Sequence, residues 1–129
     1  MRNPRRLASA QADLDMATDA YVILPIVLPS SFATACFLGR LTIKAIDRTG
    51  CNSCAAYLAR KSDGTMAVTE PGTAKNFITP DGITDSGAVV YDLGNLPYAP
   101  DGTNDEGFYV VAALDAGSAS LTAILDVSQ

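Results

Sequence analysis

The chain of 129 residues has no histidine and no tryptophan. Histidine is the usual neutral-pH general base and the commonest metal ligand. Its absence counts against hydrolases, His-dependent acyl transfer and most zinc catalysis, and does not remove enzymes that work with carboxylates alone. Tryptophan is the frequent aromatic platform of sugar-binding modules, so its absence weakens that class too. No apolar run is long: the longest, "AYVILPIVLP" at 20–29, falls short of the roughly 20 residues that span a bilayer and contains Pro25. A secretory leader is not evident either, because Gln11, Asp13, Asp15 and Asp19 interrupt the stretch after the basic "MRNPRR". These absences predict a soluble protein made in a cytoplasm. Three cysteines, an odd number, argue against a secreted disulfide scaffold.

Basic residues are scarce in the second half. Residues 1–61 hold eight Lys/Arg and four Asp/Glu, net +4, whereas residues 62–129 hold Lys75 alone and ten Asp/Glu, net −9. Either the two halves form faces that steer assembly, or the fold mixes them and the asymmetry vanishes in space. The overall charge of −5 disfavours nucleic acid as the main partner, which asks for a basic surface.

What is present reads as strands. With 48% hydrophobic and 18% charged residues the chain is suited to one folded domain. In "RLTIKAID", 40–47, Leu41, Ile43 and Ala45 fall on one face and Thr42, Lys44 and Ile46 on the other. "AAYLARK" and "TMAVTE" flank "SDG" at 62–64, a hairpin signal. "AVVYDL", "GFYVVAALD" and "SLTAILDV" are further strands, the last two joined by a tight turn at "AGS", 116–118. The connectors hold Pro71, Pro80, Pro97 and Pro100 and six of the ten glycines. Short strands punctuated in this way predict an all-β fold, a β-sandwich or jelly roll, over residues 19–129. Pro25 and Pro29 suit a sheet edge or a subunit contact. Residues 1–18 read as a separate arm. Leu7, Gln11, Leu14 and Thr18 lie near a helical repeat and admit a short helix, too weak to stand alone.

Few residues offer chemistry. Cys51 and Cys54 in "RTGCNSCAAYLAR" would make a redox motif if a helix followed them. They would make half a zinc site if a second pair existed. With Cys36 distant, no His and a predicted strand following, they read as small buried thiols or a local disulfide. Asp101, Asn104, Asp105 and Glu106 offer oxygens for calcium, but the spacing departs from an EF-hand loop. A solvated turn is the simpler account of that loop. Tyr98 in "NLPYAPDG" is expected to be exposed. Arg2, Arg5 and Arg6 form a small basic cluster suited to a solvated end or a subunit contact. No catalytic, cofactor-binding or metal-ligating set is selected, and no cofactor is implied.

The short arm, the small β domain rich in Ala, Gly, Thr and Asp, and the stretches "GRLTIKAIDRTG" and "AVVYDLGNLPYAPDGTNDEGFYVVAALDAGSASLTAILDVS" resemble small all-β bacteriophage virion proteins. The likeness is one of style over most of residues 20–129 and rests on no diagnostic motif. It implies a non-enzymatic structural protein of the virion, a capsid decoration or cement subunit or a head–tail accessory, assembled in the host cytoplasm. Its implied partners are its own copies, a trimer favoured, and a major capsid or other virion protein, with neither nucleic acid nor membrane. The alternative is a β-sandwich module for carbohydrate or another surface ligand, with Tyr and Asp exposed around residues 95–106.

Overall fold

A computed structural model describes residues 5–27, 36–65, 67, 74–77, 87–98 and 106–128. These form eight strands: β1 (Arg5–Asp15), β2 (Val22–Ile26), β3 (Cys36–Thr49), β4 (Ser53–Lys61), β5 (Lys75–Asn76), β6 (Ala88–Tyr98), β7 (Glu106–Leu114) and β8 (Ser118–Ser128). They make two four-stranded antiparallel sheets, ordered β1-β8-β3-β6 and β2-β7-β4-β5. The fold is all-β. Among the described residues no helix is long and apolar enough to cross a membrane.

A strand sends successive side chains to opposite faces, so one apolar residue in two suffices to make a core face. β8 does this over its whole length: Ala119, Leu121, Ala123, Leu125 and Val127 are buried and the residues between them are not. In β3, Leu41, Ile43 and Ala45 are buried as the alternation predicts, with Lys44 and Ile46 exposed. The second sheet contributes Leu24, Ile26, Cys54, Ala56, Leu58, Phe108, Val110, Ala112 and Leu114 to the same buried cluster. Each fully buried leucine stabilises the fold by about 1.5–3 kcal/mol relative to an exposed one.

Residues 5–15 are a strand rather than the short helix that their spacing admits. β1 pairs with β8 in one unbroken register, from Arg5 opposite Ser128 to Asp15 opposite Ser118. Leu7 and Leu14 are seven apart. That interval puts them on one face of a helix but on opposite faces of a strand. Leu14 is 2% exposed and Leu7 is 72% exposed. The open edge of β8 supplies a full ladder of backbone partners, which a two-leucine helix cannot match.

The topology also mixes the strands of the two halves of the chain. In both sheets every hydrogen-bonded neighbour pair joins a strand from residues 1–61 to one from residues 62–129. The described strands of the two halves therefore interleave one by one within each sheet.

Turn chemistry follows the sequence. After β4, Gly64 adopts φ +85°, its N–H donates to the Lys61 carbonyl at 3.0 Å, and Lys61 N–H donates to the Thr65 carbonyl at 3.3 Å. Asp63 Oδ1 accepts from the Thr65 amide at 3.0 Å and hydroxyl at 2.6 Å. Of the expected partner strand "TMAVTE", Thr65 belongs to the turn and Ala67 bridges Ala59; its other residues lie outside the described ones. The "AGS" turn carries the chain from one sheet to the other, since β7 and β8 belong to different sheets. Pro25 lies on β2, an edge strand, where a missing donor is tolerated.

Candidate interaction surface

The cysteine stretch is a structural corner. Between β3 and β4 the chain changes sheets, and it does so against the β7–β8 crossing. Asp115 Oδ1 accepts the Asn52 and Ser53 amides at 2.9 and 3.1 Å, and its own N–H donates to the Ser53 carbonyl at 3.2 Å. These amide bonds hold the Asp115 carboxyl below the usual carboxylate range. Asn52 O accepts the Phe77 amide at 2.9 Å, and the Arg48 guanidinium lies 4.6 Å from the Phe77 ring centre. The Cys51 thiol points at the Ser118 carbonyl, 3.6 Å away.

Cys36, Cys51 and Cys54 are free, buried thiols. Burial, and secondarily the neighbouring Cys51, pushes the Cys54 thiol up to about 12. A reactive thiol requires the opposite shift, and the helix that would supply it is replaced by β4. Among the described residues no group of three or more His, Cys, Asp or Glu is placed to hold a metal ion.

Tyr98 is buried rather than exposed. Its ring packs against Phe108 with centroids 4.5 Å apart, and the Arg60 guanidinium lies 5.3 Å from its centre. The polar loop setting hid its position at the end of β6, where strand alternation turns it inward. Asp101, Asn104 and Asp105, the side chains of Glu106, Arg5 and Arg6, and all of Arg2 lie outside the described residues.

The surface that the sequence reading missed is the outer face of the second sheet. Over the middle of β2, β7 and β4 the residues turned away from the core are Ile23 and Pro25, then Tyr109, Val111 and Ala113, then Ala55, Tyr57 and Ala59, with Lys61 following at the end of β4. Register places Ile23 beside Val111 and Val111 beside Tyr57, and it places Pro25 beside Tyr109 and Tyr109 beside Ala59. None of these eight positions is charged. Val111 is buried yet stands outside the core cluster. A Cβ on Gly64 would lie 3.3 Å from its Cγ2, which puts the 62–64 turn over this face.

The outer face of the first sheet differs. There Leu7, Ser9, Gln11 and Asp13 of β1 adjoin Asp126, Ile124, Thr122 and Ser120 of β8, followed by Thr42 and Lys44 of β3. An antiparallel sheet with one face in water is ordinarily polar on that side. The first sheet mixes such polar residues with exposed Leu7, Phe37, Ile46 and Val90, whereas the eight positions on the second carry no polar side chain but the two tyrosine hydroxyls.

A hollow of about 490 Å³ opens on the apolar face. Ala55, Ala113, Tyr21, Tyr57, Asp63 and Gly64 are among the residues that line it. The Tyr57 hydroxyl donates to the Gly64 carbonyl at 3.1 Å, which fixes that ring against the turn. Tyr21 is half exposed. The signal legible in the sequence was the unalternating "CAAYLA" and "FYVVAAL", where apolar residues occupy both strand faces. No family model matches the chain, and no curated protein sequence matches it.

Proposed function

We propose that the chain is a non-enzymatic structural protein of a virion. It is a β-sandwich subunit that decorates or cements a capsid lattice through contacts with its own copies and with a major capsid or other virion protein. The observation that carries this reading is the uncharged outer face of β2, β7 and β4. Contiguous apolar surface of this kind marks a site of contact with another molecule. The small lining residues Ala55 and Ala113 and the pinned Tyr57 leave a hollow that suits a protruding apolar side chain of a protein partner. The acidic total charge gives no support to a nucleic-acid partner.

The test is co-expression with the structural genes that flank its own, followed by gradient sedimentation of the particles. The wild-type chain is expected to sediment with the particles in fixed stoichiometry, and the Ala113→Glu variant, folded but charged on the face, to stay at the top of the gradient. A wild-type chain absent from the particles overturns the reading.

A second reading rests on the same hollow. Tyr21, Tyr57 and Asp63 among its small lining residues suit one ring of a carbohydrate, as in a surface-ligand module. Binding on a glycan array that is lost on Tyr57→Ala favours it, and an array without signal counts against it.

A further inference from the structure

Two four-stranded sheets have four edges, and three of these edges carry features that obstruct further pairing. β2 is five residues long and holds Pro25. β5 is two residues long. β6 has a register shift against β3 between Leu38 and Arg40, left-handed backbone at Gly94 and Asn95, and Pro97. Short strands, proline and bulges are the usual ways in which proteins prevent edge-to-edge association. β1 has none of these three, and its charged residues, Arg5, Arg6, Asp13 and Asp15, stand at its two ends and leave positions 7–12 uncharged. It runs eleven residues in unbroken register and contains no proline, glycine or lysine. At about 3.4 Å per residue it offers an edge about 37 Å long. Among the described residues no strand pairs with its outer side.

The strand is also self-complementary when reversed. Its first two residues are Arg5 and Arg6, and near its other end stand Asp13 and Asp15. Laid antiparallel on a second β1, with Ala10 on the two-fold axis, all eleven residues pair and outward residues meet outward ones. Arg5 then stands opposite Asp15 of the second strand, and Ser9 opposite its Gln11. The inward positions at the middle, Ala8, Ala10 and Ala12, are small, so the second copy meets no bulk there.

We propose that β1 is a self-docking edge, which joins two copies across a two-fold axis into one continuous eight-stranded sheet. The occupant is a second copy of this chain, because in this register the strand's own ends are complementary. Position Arg5 meets Asp15 at both ends, while Arg6 and Asp13 meet the uncharged Leu14 and Leu7. Isologous contact of this kind uses the same patch on both copies and closes on itself. It is independent of the apolar face of the second sheet and does not rest on the virion reading. It gives pairs, where the family resemblance favours trimers.

Sedimentation equilibrium of the full chain tests it, with two double variants on outward positions that are exposed in the single subunit. Wild type is expected to show the dimer mass. S9K/Q11K places lysines opposite lysines across the axis and is expected to show the monomer mass with an unchanged circular-dichroism spectrum. Mixing it with S9E/Q11E is expected to restore the dimer mass. Wild type that is monomeric at high concentration overturns the proposal, as does a dimer or trimer unaffected by S9K/Q11K. A wild-type monomer that gains mass only when a capsid protein is added assigns the edge to that partner and likewise overturns it.

Discussion

The hydroxyl of Tyr91, on β6 of the first sheet, accepts the Ala56 amide and donates to the Cys54 carbonyl on β4 of the second, both at 3.3 Å. β5 pairs with β4 only at Ser53 and Cys54, and among the described residues β4 meets no further partner on that side until the Ala59–Ala67 bridge. Tyr91 takes that place with one side chain and ties the two sheets together. Lys75 covers it, with Nζ 4.7 Å from the ring centre and donating to the Val90 carbonyl at 2.7 Å.

Tyr91→Phe keeps the ring and removes both bonds. It leaves a partly buried amide and carbonyl without that partner, at a cost of about 1–3 kcal/mol. Urea unfolding is expected to show a lower midpoint at unchanged slope. A midpoint equal to that of wild type would show that water replaces the hydroxyl without loss.

The two sheet crossings meet at Gly117. Its φ is +71°, and a Cβ there would fall inside the Thr49 carbonyl oxygen and against the Gly50 backbone. The left-handed conformation alone costs an L-residue about 1–2 kcal/mol. The clash adds to this, because the obstacle is backbone and cannot swing aside. Gly117→Ala is therefore expected to destabilise the fold by about 3 kcal/mol or more. Gly94→Ala is the comparison: its φ is +64° and nothing lies within 4 Å of its Cβ position, so only the conformational cost applies. Equal losses in thermal melts of the two variants would refute the role given to the corner.

Much of this architecture was legible where a two-residue period ran unbroken, as in β3 and β8, because alternation fixes both the strand and its buried face. The "SDG" and "AGS" turns were legible for the same local reason. What the partners decide was not. Residues 5–15 carry a weak helical spacing and a weak strand spacing, and only the open edge of β8 selects the strand. The "AGS" turn looks the same whether it closes a hairpin or changes sheets. Tyr98 sits in a polar, proline-rich context, yet Phe108, ten residues on, draws it inward. The apolar face of β2, β7 and β4 was hidden because a two-sided apolar strand reads as core until its neighbours are placed. Cys51 and Cys54 were legible as either small buried thiols or a local disulfide, and only the placed strands show them free and buried.

Alkaline pH should weaken the protein through Cys54 and Tyr91. Burial raises the Cys54 thiol from 9.0 to about 12, and burial likewise raises the Tyr91 phenol. A raised folded-state value means that the folded chain holds its proton more tightly than the unfolded chain does. The stability this gives is complete below the ordinary value and is lost as pH rises through the folded one. For Cys54 that window runs from 9.0 to about 12. Urea midpoints are expected to fall across it, and Cys54→Ala is expected to start lower but fall less steeply. Parallel curves for the two proteins would remove Cys54 as the cause.

The two leucines of β1 separate the strand from the helix most directly. In a helix, Leu7 and Leu14 would share one face and matter alike. In the strand only Leu14 reaches the core, at 2% exposure against 72% for Leu7. Leu14→Ala is expected to cost about 2–5 kcal/mol, the range for a buried leucine. Leu7→Ala is expected to stay within about 0.5 kcal/mol of wild type, as for an exposed position. Since β1 pairs along its whole length with β8, removing residues 1–18 takes away both Leu14 and the ladder, and should unfold much of the first sheet whatever its role in assembly. Stability of a truncated chain thus reports on the fold alone, and only mass measurements on a folded variant report on the edge. Chemical denaturation of the two single variants checks this: comparable losses at both positions would mean that residues 5–15 do not form the strand.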